Sequence, residues 1–301
     1  MIHISERDLQ LPDVEFPTIM SRIAADNKII SLGPGEPDFV TPAPLLAYAR
    51  KVIAKSTHYS EPQGLLSLRE AITKKLAHEN NIHTSPDEII VTCGSQEGIF
   101  SALLSAVDPT EQVLVPSPGY AGYVPAIDLV SATPVFVPLS EENNFELNPD
   151  VLKRHIDKRK SKVIILNSPS NPTGNVLSRK ILEEVADIAI ENDLLIFSDE
   201  AYEHILYDDA KHVSIGSLNG MHNHVVTFQT FSKTYAMCGF RLGYCVGPKK
   251  FIAEMNKDHH YVTMNAPHIS QLMGVKALAL PRKYIDSMVR EYKRRRDLIV
   301  P

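Results

Sequence analysis

The sequence predicts an α/β fold: a mostly parallel sheet with helices on both faces. Three observations carry this. From about residue 67, short β-branched stretches alternate with stretches of helical periodicity. The strand-like stretches are nearly all apolar rather than alternating, which requires cover on both faces. Several of them run out into loops rich in Pro, Asn, Ser or Gly, at the strand ends where ligands of open α/β sheets sit.

In chain order, "SLREAITKKLAHEN" (67–80) places apolar residues at helical spacing, and "EIIVTC" (88–93) is a short strand. "SQEGIFSALLSAV" (95–107) continues as a helix. "QVLVPSP" (112–118) reads as a strand closed by prolines, and "TPVFVPL" (133–139) as another. "SKVIILNSPSNPTG" (161–174) is an apolar strand entering a Pro/Asn/Gly loop. A helix over 178–193 follows, with Ser178 as its N-cap, and then the strand "LLIFSDE" (194–200). "HVVTFQT" (224–230) and "RLGYCVG" (241–247) are two more strands, and beyond 248 the chain reads as helices. Asn167 and Asn171 thus follow one strand, Asp199 ends another and Lys233 follows a third. Their loops are expected to open on one crevice. No internal repeat or low-complexity linker interrupts the chain.

The bulk properties narrow the function. The 301 residues are 44% hydrophobic and 22% charged with a net charge of −5, an ordinary globular composition. That balance gives no reason to expect nucleic acid or an anionic membrane as a partner. The basic clusters at 153–162 and 293–297 adjoin apolar helix positions and read as solvated faces. The opening residues carry no basic segment followed by an apolar run, and nothing approaches the ~20 apolar residues that span a bilayer. Cys93, Cys238 and Cys245 form no CxxC pair, which points to a reducing cytoplasm. His222/His224 and His259/His260 lack a partnered carboxylate or cysteine pattern, so no metal is expected.

"TFSKTYAMCGFRLGY" (230–244) sets the chemistry. A partly buried lysine forms a Schiff base readily, which suits Lys233. Arg241 offers a permanent planar cation for a phosphate or carboxylate, with the hydroxyls of Thr230 and Ser232 nearby. "TCGSQEG" (92–98) puts a glycine turn, Ser95 and Gln96 at a helix N-terminus that favours an anion. Asp199 ends an apolar strand and needs a cationic or hydrogen-bonding partner, which a protonated ring nitrogen supplies. Tyr202, Asn171 and Tyr120 add a phenol, an amide and a flat aromatic face. Singly, each has a plainer reading: a solvated loop lysine, a helix-capping aspartate, a core tyrosine. Together they describe the partners of an aldehyde, a phosphate, a ring nitrogen and a phenolic oxygen, which is pyridoxal 5′-phosphate (PLP).

"SPSNPTG" (168–174), "SDEAYEH" (198–204) and "TFSKTYAMCGFRLGY", in that order, resemble the class I/II PLP-dependent aminotransferases of fold type I. "SLGPGEPDFVTP" (31–42) and "HYSEPQGLLSLREAI" (58–72) match the N-terminal segment of the same family. The resemblance is closest to the aspartate and aromatic aminotransferases of bacteria and archaea and runs from about residue 20 to the end. It implies PLP fold type I: an N-terminal arm and part of a small α/β domain in 1–45, a large cofactor-binding domain in 46–285, and the start of the small domain's C-terminal part in 286–301. It implies an aldimine and a catalytic proton carrier at Lys233, a pyridinium partner at Asp199, and phenolic-oxygen partners at Asn171 and Tyr202. Tyr120 falls where a ring stacks on the pyridine; Ser95, Gln96, Thr230, Ser232 and Arg241 fall at the phosphate cup. Tyr59 resembles a tyrosine that reaches the phosphate from the neighbouring subunit, hence a homodimer. Gly35 and Asn171 fall where the substrate is held.

Two departures stand out. Thr230 replaces the more usual serine or glycine but keeps a hydroxyl. The sequence stops before the C-terminal segment that carries the family's carboxylate-binding arginine, so a truncated chain is expected. The implied activity is ping-pong transfer of an amino group from an L-amino acid, aspartate or aromatic, to a 2-oxo acid such as 2-oxoglutarate. Alternatives on the same scaffold are a β-lyase, a decarboxylase or a synthase. A cofactor-binding chain without activity is a further alternative. A nicotinamide enzyme is rejected, because no G-x-G-x-x-G opens a first helix.

Overall fold

The computed structural model describes residues 2–11, 15–26, 28–33 and 35–300, so Pro34 of the 31–42 stretch lies outside the described residues. The N-terminal part contains α1 (Glu6–Gln10), α2 (Glu15–Ala25), α3 (Ala43–Val52) and α4 (Leu66–Lys75). Strand and helix then alternate: β1 (Ile89–Thr92), α5 (Ser95–Ala106), β2 (Gln112–Ser117), α6 (Tyr123–Leu129), β3 (Thr133–Pro138), α7 (Pro149–His155), β4 (Ser161–Asn167), α8 (Arg179–Glu191) and β5 (Leu195–Asp199). The chain continues with β6 (Val225–Thr230), α9 (Phe231–Thr234), β7 (Gly243–Val246), α10 (Lys249–Thr263), α11 (His268–Leu278) and α12 (Lys283–Ile299).

The strands form one seven-stranded sheet in the order β1-β7-β6-β5-β4-β2-β3. Pairings from β6 through β3 are parallel, and β7 alone runs antiparallel to its two neighbours. This exception has a geometric result. Two reversals make β1 parallel to β6, so the carboxyl end of β1 and the amino end of β7 join the carboxyl ends of β2, β4, β5 and β6 along one edge. The loops after β1, β2, β4, β5 and β6 and the loop before β7 all open there.

Side chains alternate between two cores, as the strand period requires. Val113 and Val115 pack with Val163, Phe197 and Phe228 under α5, α6 and α10. Leu114, Ile164 and Ile196 face the other way, onto α7 and α8. Ile89, Val91, Tyr244 and Val246 complete a third cluster with α3, α4, α11 and α12. Ser178 caps α8, its hydroxyl accepting from Ile181 N at 3.3 Å.

One expected helix is different in kind. The stretch 67–80 is regular only to Lys75; Leu76–Asn80 form a π-helical turn that ends at the left-handed Asn81. Asn80 is buried there with its amide bonded to Lys75, Glu203 and Ser214. The basic run at 293–297 is matched by carboxylates: Lys293 and Arg296 pair with Asp208 and Asp297, and Arg295 with Asp38 and Glu291. Among the described residues no helix is long and apolar enough to cross a membrane.

Candidate active site

Lys233 is the third residue of α9, a short helix that turns the chain straight out of β6. Thr230 caps it, its hydroxyl accepting from Ser232 N at 3.1 Å and donating to Ser232 Oγ at 3.0 Å. The Lys233 amine donates to the Gly35 carbonyl at 2.5 Å and lies 5.8 Å from the centroid of the Tyr202 ring. One strand over, Asp199 ends β5 and is 6% exposed. Its Oδ1 accepts from Ala201 N at 3.1 Å and its Oδ2 from the Tyr123 hydroxyl at 2.6 Å. Burial still pushes the Asp199 carboxyl above its ordinary range, outweighing both bonds.

The loop after β4 is built on Asn167. Its amide donates to the Asp199 carbonyl at 3.0 Å and accepts from Asn171 N at 2.6 Å. Asn171 then donates to the Tyr202 hydroxyl across a long 3.5 Å. Burial, and next the Asp199 charge, raise the Tyr202 phenol. Tyr120 stands edge-on to Tyr123, with ring centroids 5.2 Å apart.

Farther along the same edge, at β1 and β7, lies a cradle. Gly94 caps α5 with φ +85°, which favours glycine. A Cβ there would lie 2.5 Å from the Arg241 guanidinium. Arg241 itself holds φ +50°, uncommon for a non-glycine residue, and donates to the Cys93 carbonyl at 3.2 Å and the Cys238 carbonyl at 3.0 Å. Ser95 and Gln96 occupy the first turn of α5, whose free amides face the same way. Gln96 Oε1 is buried without a partner, while its amide nitrogen reaches the Gly122 carbonyl at 3.4 Å.

The fold therefore brings Lys233, Asp199, Tyr202, Asn171, Tyr120, Ser95, Gln96, Thr230, Ser232 and Arg241 to one edge, with Gly35 against the lysine. Tyr59 is different: it is 80% exposed and makes no side-chain hydrogen bond among the described residues. Sequence reasoning missed Tyr123, whose hydroxyl is the closest partner of Asp199. The donor set fits PLP. A glycine cradle and a guanidinium suit a phosphate, and a buried carboxyl raised by desolvation suits a ring cation.

A family model for aminotransferase class I and II matches residues 27–301. The chain belongs to this family. It is a PLP-dependent aminotransferase of fold type I. Among its relatives, an aspartate aminotransferase of Pyrococcus abyssi is 45% identical over 282 residues, covering 92% of this chain and 72% of the relative. An aromatic-amino-acid aminotransferase of Thermococcus litoralis is 42% identical over 275 residues, covering 90% and 70%. The solved aspartate aminotransferase of Thermus thermophilus with maleate superposes with a TM-score of 0.95 at 32% identity, covering all of this chain and 80% of that one.

The raised Asp199 carboxyl gives this aminotransferase a testable signature. A carboxyl whose folded pKa lies above its unfolded value favours folding below the unfolded value and loses that contribution as pH rises through the folded one. Ionising this carboxyl in the cofactor-free protein therefore costs stability. Asp199→Asn should raise the melting temperature of the cofactor-free protein at pH 7, by on the order of 2 °C, with no gain near pH 3, while weakening cofactor binding. Melting curves at the two pH values check it.

Proposed function

We propose that this aminotransferase moves the amino group of an L-amino acid, aspartate or an aromatic one, to a 2-oxo acid such as 2-oxoglutarate in a ping-pong cycle. The observation that carries the reading is the placement of the Lys233 amine and the Asp199 carboxylate at the ends of neighbouring strands, β6 and β5. When bound, PLP supplies a ring that takes up the electron pair left at the substrate's α-carbon. Lys233 Nζ anchors the cofactor's aldehyde carbon between turnovers and, once released, moves the proton at the α-carbon. Asp199 keeps the proton on the ring nitrogen. Asn171 and Tyr202 hydrogen-bond the phenolic oxygen, and Tyr120 packs on the ring. Ser95, Gln96, Thr230, Ser232 and Arg241 hold the phosphate. Gly35 and Asn171 hold the substrate.

We read the chain as one half of a homodimer. The exposure of Tyr59 supports this, since its ring is free to reach the partner's phosphate. Residues 46–285 are read as the large domain, with 1–45 and 286–301 contributing to the small one, and the cytoplasm as the compartment. The names of the relatives from Pyrococcus abyssi and Thermococcus litoralis support the two donor classes. The test is a half-reaction. Single amino acids are added to the PLP-loaded protein while the visible absorption and the released 2-oxo acid are followed. Conversion to pyridoxamine phosphate with aspartate or an aromatic donor supports the reading. A band that never responds to any donor, or a product other than a 2-oxo acid, overturns it.

A further inference from the structure

His259, on α10, is fully buried, and its Nδ1 lies 3.0 Å from Oε1 of Glu97 in the first turn of α5. The same oxygen accepts from the Ser101 hydroxyl at 2.6 Å, and Oε2 accepts from the Cys93 amide at 3.0 Å. Thr263 Oγ1 lies 3.2 Å from Nδ1, whereas Nε2 is buried with no partner. Burying an imidazole against a carboxylate is costly unless the pair is well bonded, and leaving Nε2 unpaired adds to that cost. A purely apolar contact would join α10 to α5 without this penalty.

What the pair does follows from what it holds. Glu97 grips the amide of Cys93, and the carbonyl of Cys93 accepts from the Arg241 guanidinium at 3.2 Å. The residue between them is thus fixed from both sides. Gly94, Ser95 and Gln96, which come next, form the cradle. The chain of contacts runs from α10 through His259, Glu97 and Cys93 to Arg241.

We propose that the pair of buried His259 and partly buried Glu97 positions the phosphate cup, setting the 93–96 loop and, through Cys93, the Arg241 guanidinium. It is a positioning device and does not touch the cofactor. The inference rests on the reading that this cradle binds the cofactor's phosphate.

The test compares PLP with pyridoxal, which lacks the phosphate, by spectroscopic titration of the cofactor-free protein. Wild type should prefer PLP strongly. His259→Leu and Glu97→Gln should lose about tenfold or more of that preference, the size typical when a supporting partner of a ligand shell is removed. They should leave pyridoxal affinity nearly unchanged. His259→Asn returns an N–H close to the Nδ1 position and should restore most of the preference. If His259→Leu does not fold, the isosteric Glu97→Gln carries the test. Equal losses for the two ligands, or an unchanged preference in Glu97→Gln, would overturn the inference and leave a simple structural brace. Absence of any preference in wild type would instead overturn the phosphate-cup reading, and the inference with it.

Discussion

Lys233→Ala will abolish amino-group transfer and leave PLP held by its phosphate. The proposed mechanism asks two things of the lysine, a covalent anchor and a proton carrier. Proton transfer by a positioned side chain alone contributes about 10²–10⁴-fold, so losing both roles should lower kcat by at least about 10⁴-fold. On the proposed reading the phosphate donors come from other positions: the α5 amides after Gly94, Ser95, the Thr230 and Ser232 hydroxyls, and Arg241. None of them bonds the lysine, whose amine is turned to the Gly35 carbonyl. The variant should therefore retain the cofactor in equilibrium dialysis while turning over no donor. Added methylamine, a small amine that can enter the gap, should restore a measurable fraction of the rate. Turnover within tenfold of wild type would remove Lys233 from the chemistry.

The sheet was legible because its strands are short, β-branched and covered on both faces. β4 starts at Ser161, the first residue of "SKVIILNSPSNPTG", and β5 falls within a residue of either end of "LLIFSDE". The reversal of β7 was not legible, since "RLGYCVG" is apolar in either direction. Yet that reversal brings Arg241 to the same edge as Lys233 and Asp199. α6 was missed because its seven residues follow Pro118, Gly119 and Gly122 and contain Pro125, which reads as loop. With it went Tyr123, an aromatic in an apolar setting whose polar partner lies 76 positions away.

The histidines make the same point. His259 and His222 have no carboxylate at local spacing, but Glu97 and Glu88 come to 3.0 and 2.9 Å of them through the tertiary fold. Glu200, Glu203 and His212 also converge closely enough to share an ion, as do Glu79, Glu203 and His204. In both groups, however, Glu203 is already bonded by Lys75 and Asn80. Local spacing reveals the residues of a motif that are fixed by one turn, such as Thr230 and Ser232. It does not reveal pairs made by packing one helix on another.

Lys75→Met should be strongly destabilising. Lys75 ends α4 and is 9% exposed; Glu203, four residues after Asp199, is 7% exposed. The amine bonds Glu203 Oε1 and, at 2.8 Å, Asn80 Oδ1. Asn80 returns a bond to Glu203 Oε2 at 2.8 Å and another to Ser214, whose hydroxyl donates to Glu200 at 2.5 Å. His212 and Ser198 also bond Glu200. This network lies beneath the turn that presents Asp199 and Tyr202. Removing one partner of a buried pair typically costs about 3–5 kcal/mol, because the other charge is left without compensation. Replacing both, as in Lys75→Met with Glu203→Leu, should cost less than the sum of the single changes. Acid adds an independent check. Burial alone would raise the Glu203 carboxyl, but the Lys75 and His204 charges and the bonds from Lys75 and Asn80 outweigh it and hold the group at about 2 against an ordinary 4.5. A lowered carboxyl contributes stability above its unfolded value and loses it as pH falls through the folded one. Wild type should therefore lose stability between pH 4.5 and about 2, and Glu203→Gln should show a flatter profile there. Denaturant titrations across that window measure both. If Lys75→Met unfolds within about 1 kcal/mol of wild type, the pair does not hold the turn, and the placement of Asp199 rests on its strand pairing and its bonds with Tyr123, Ala201 and Asn167.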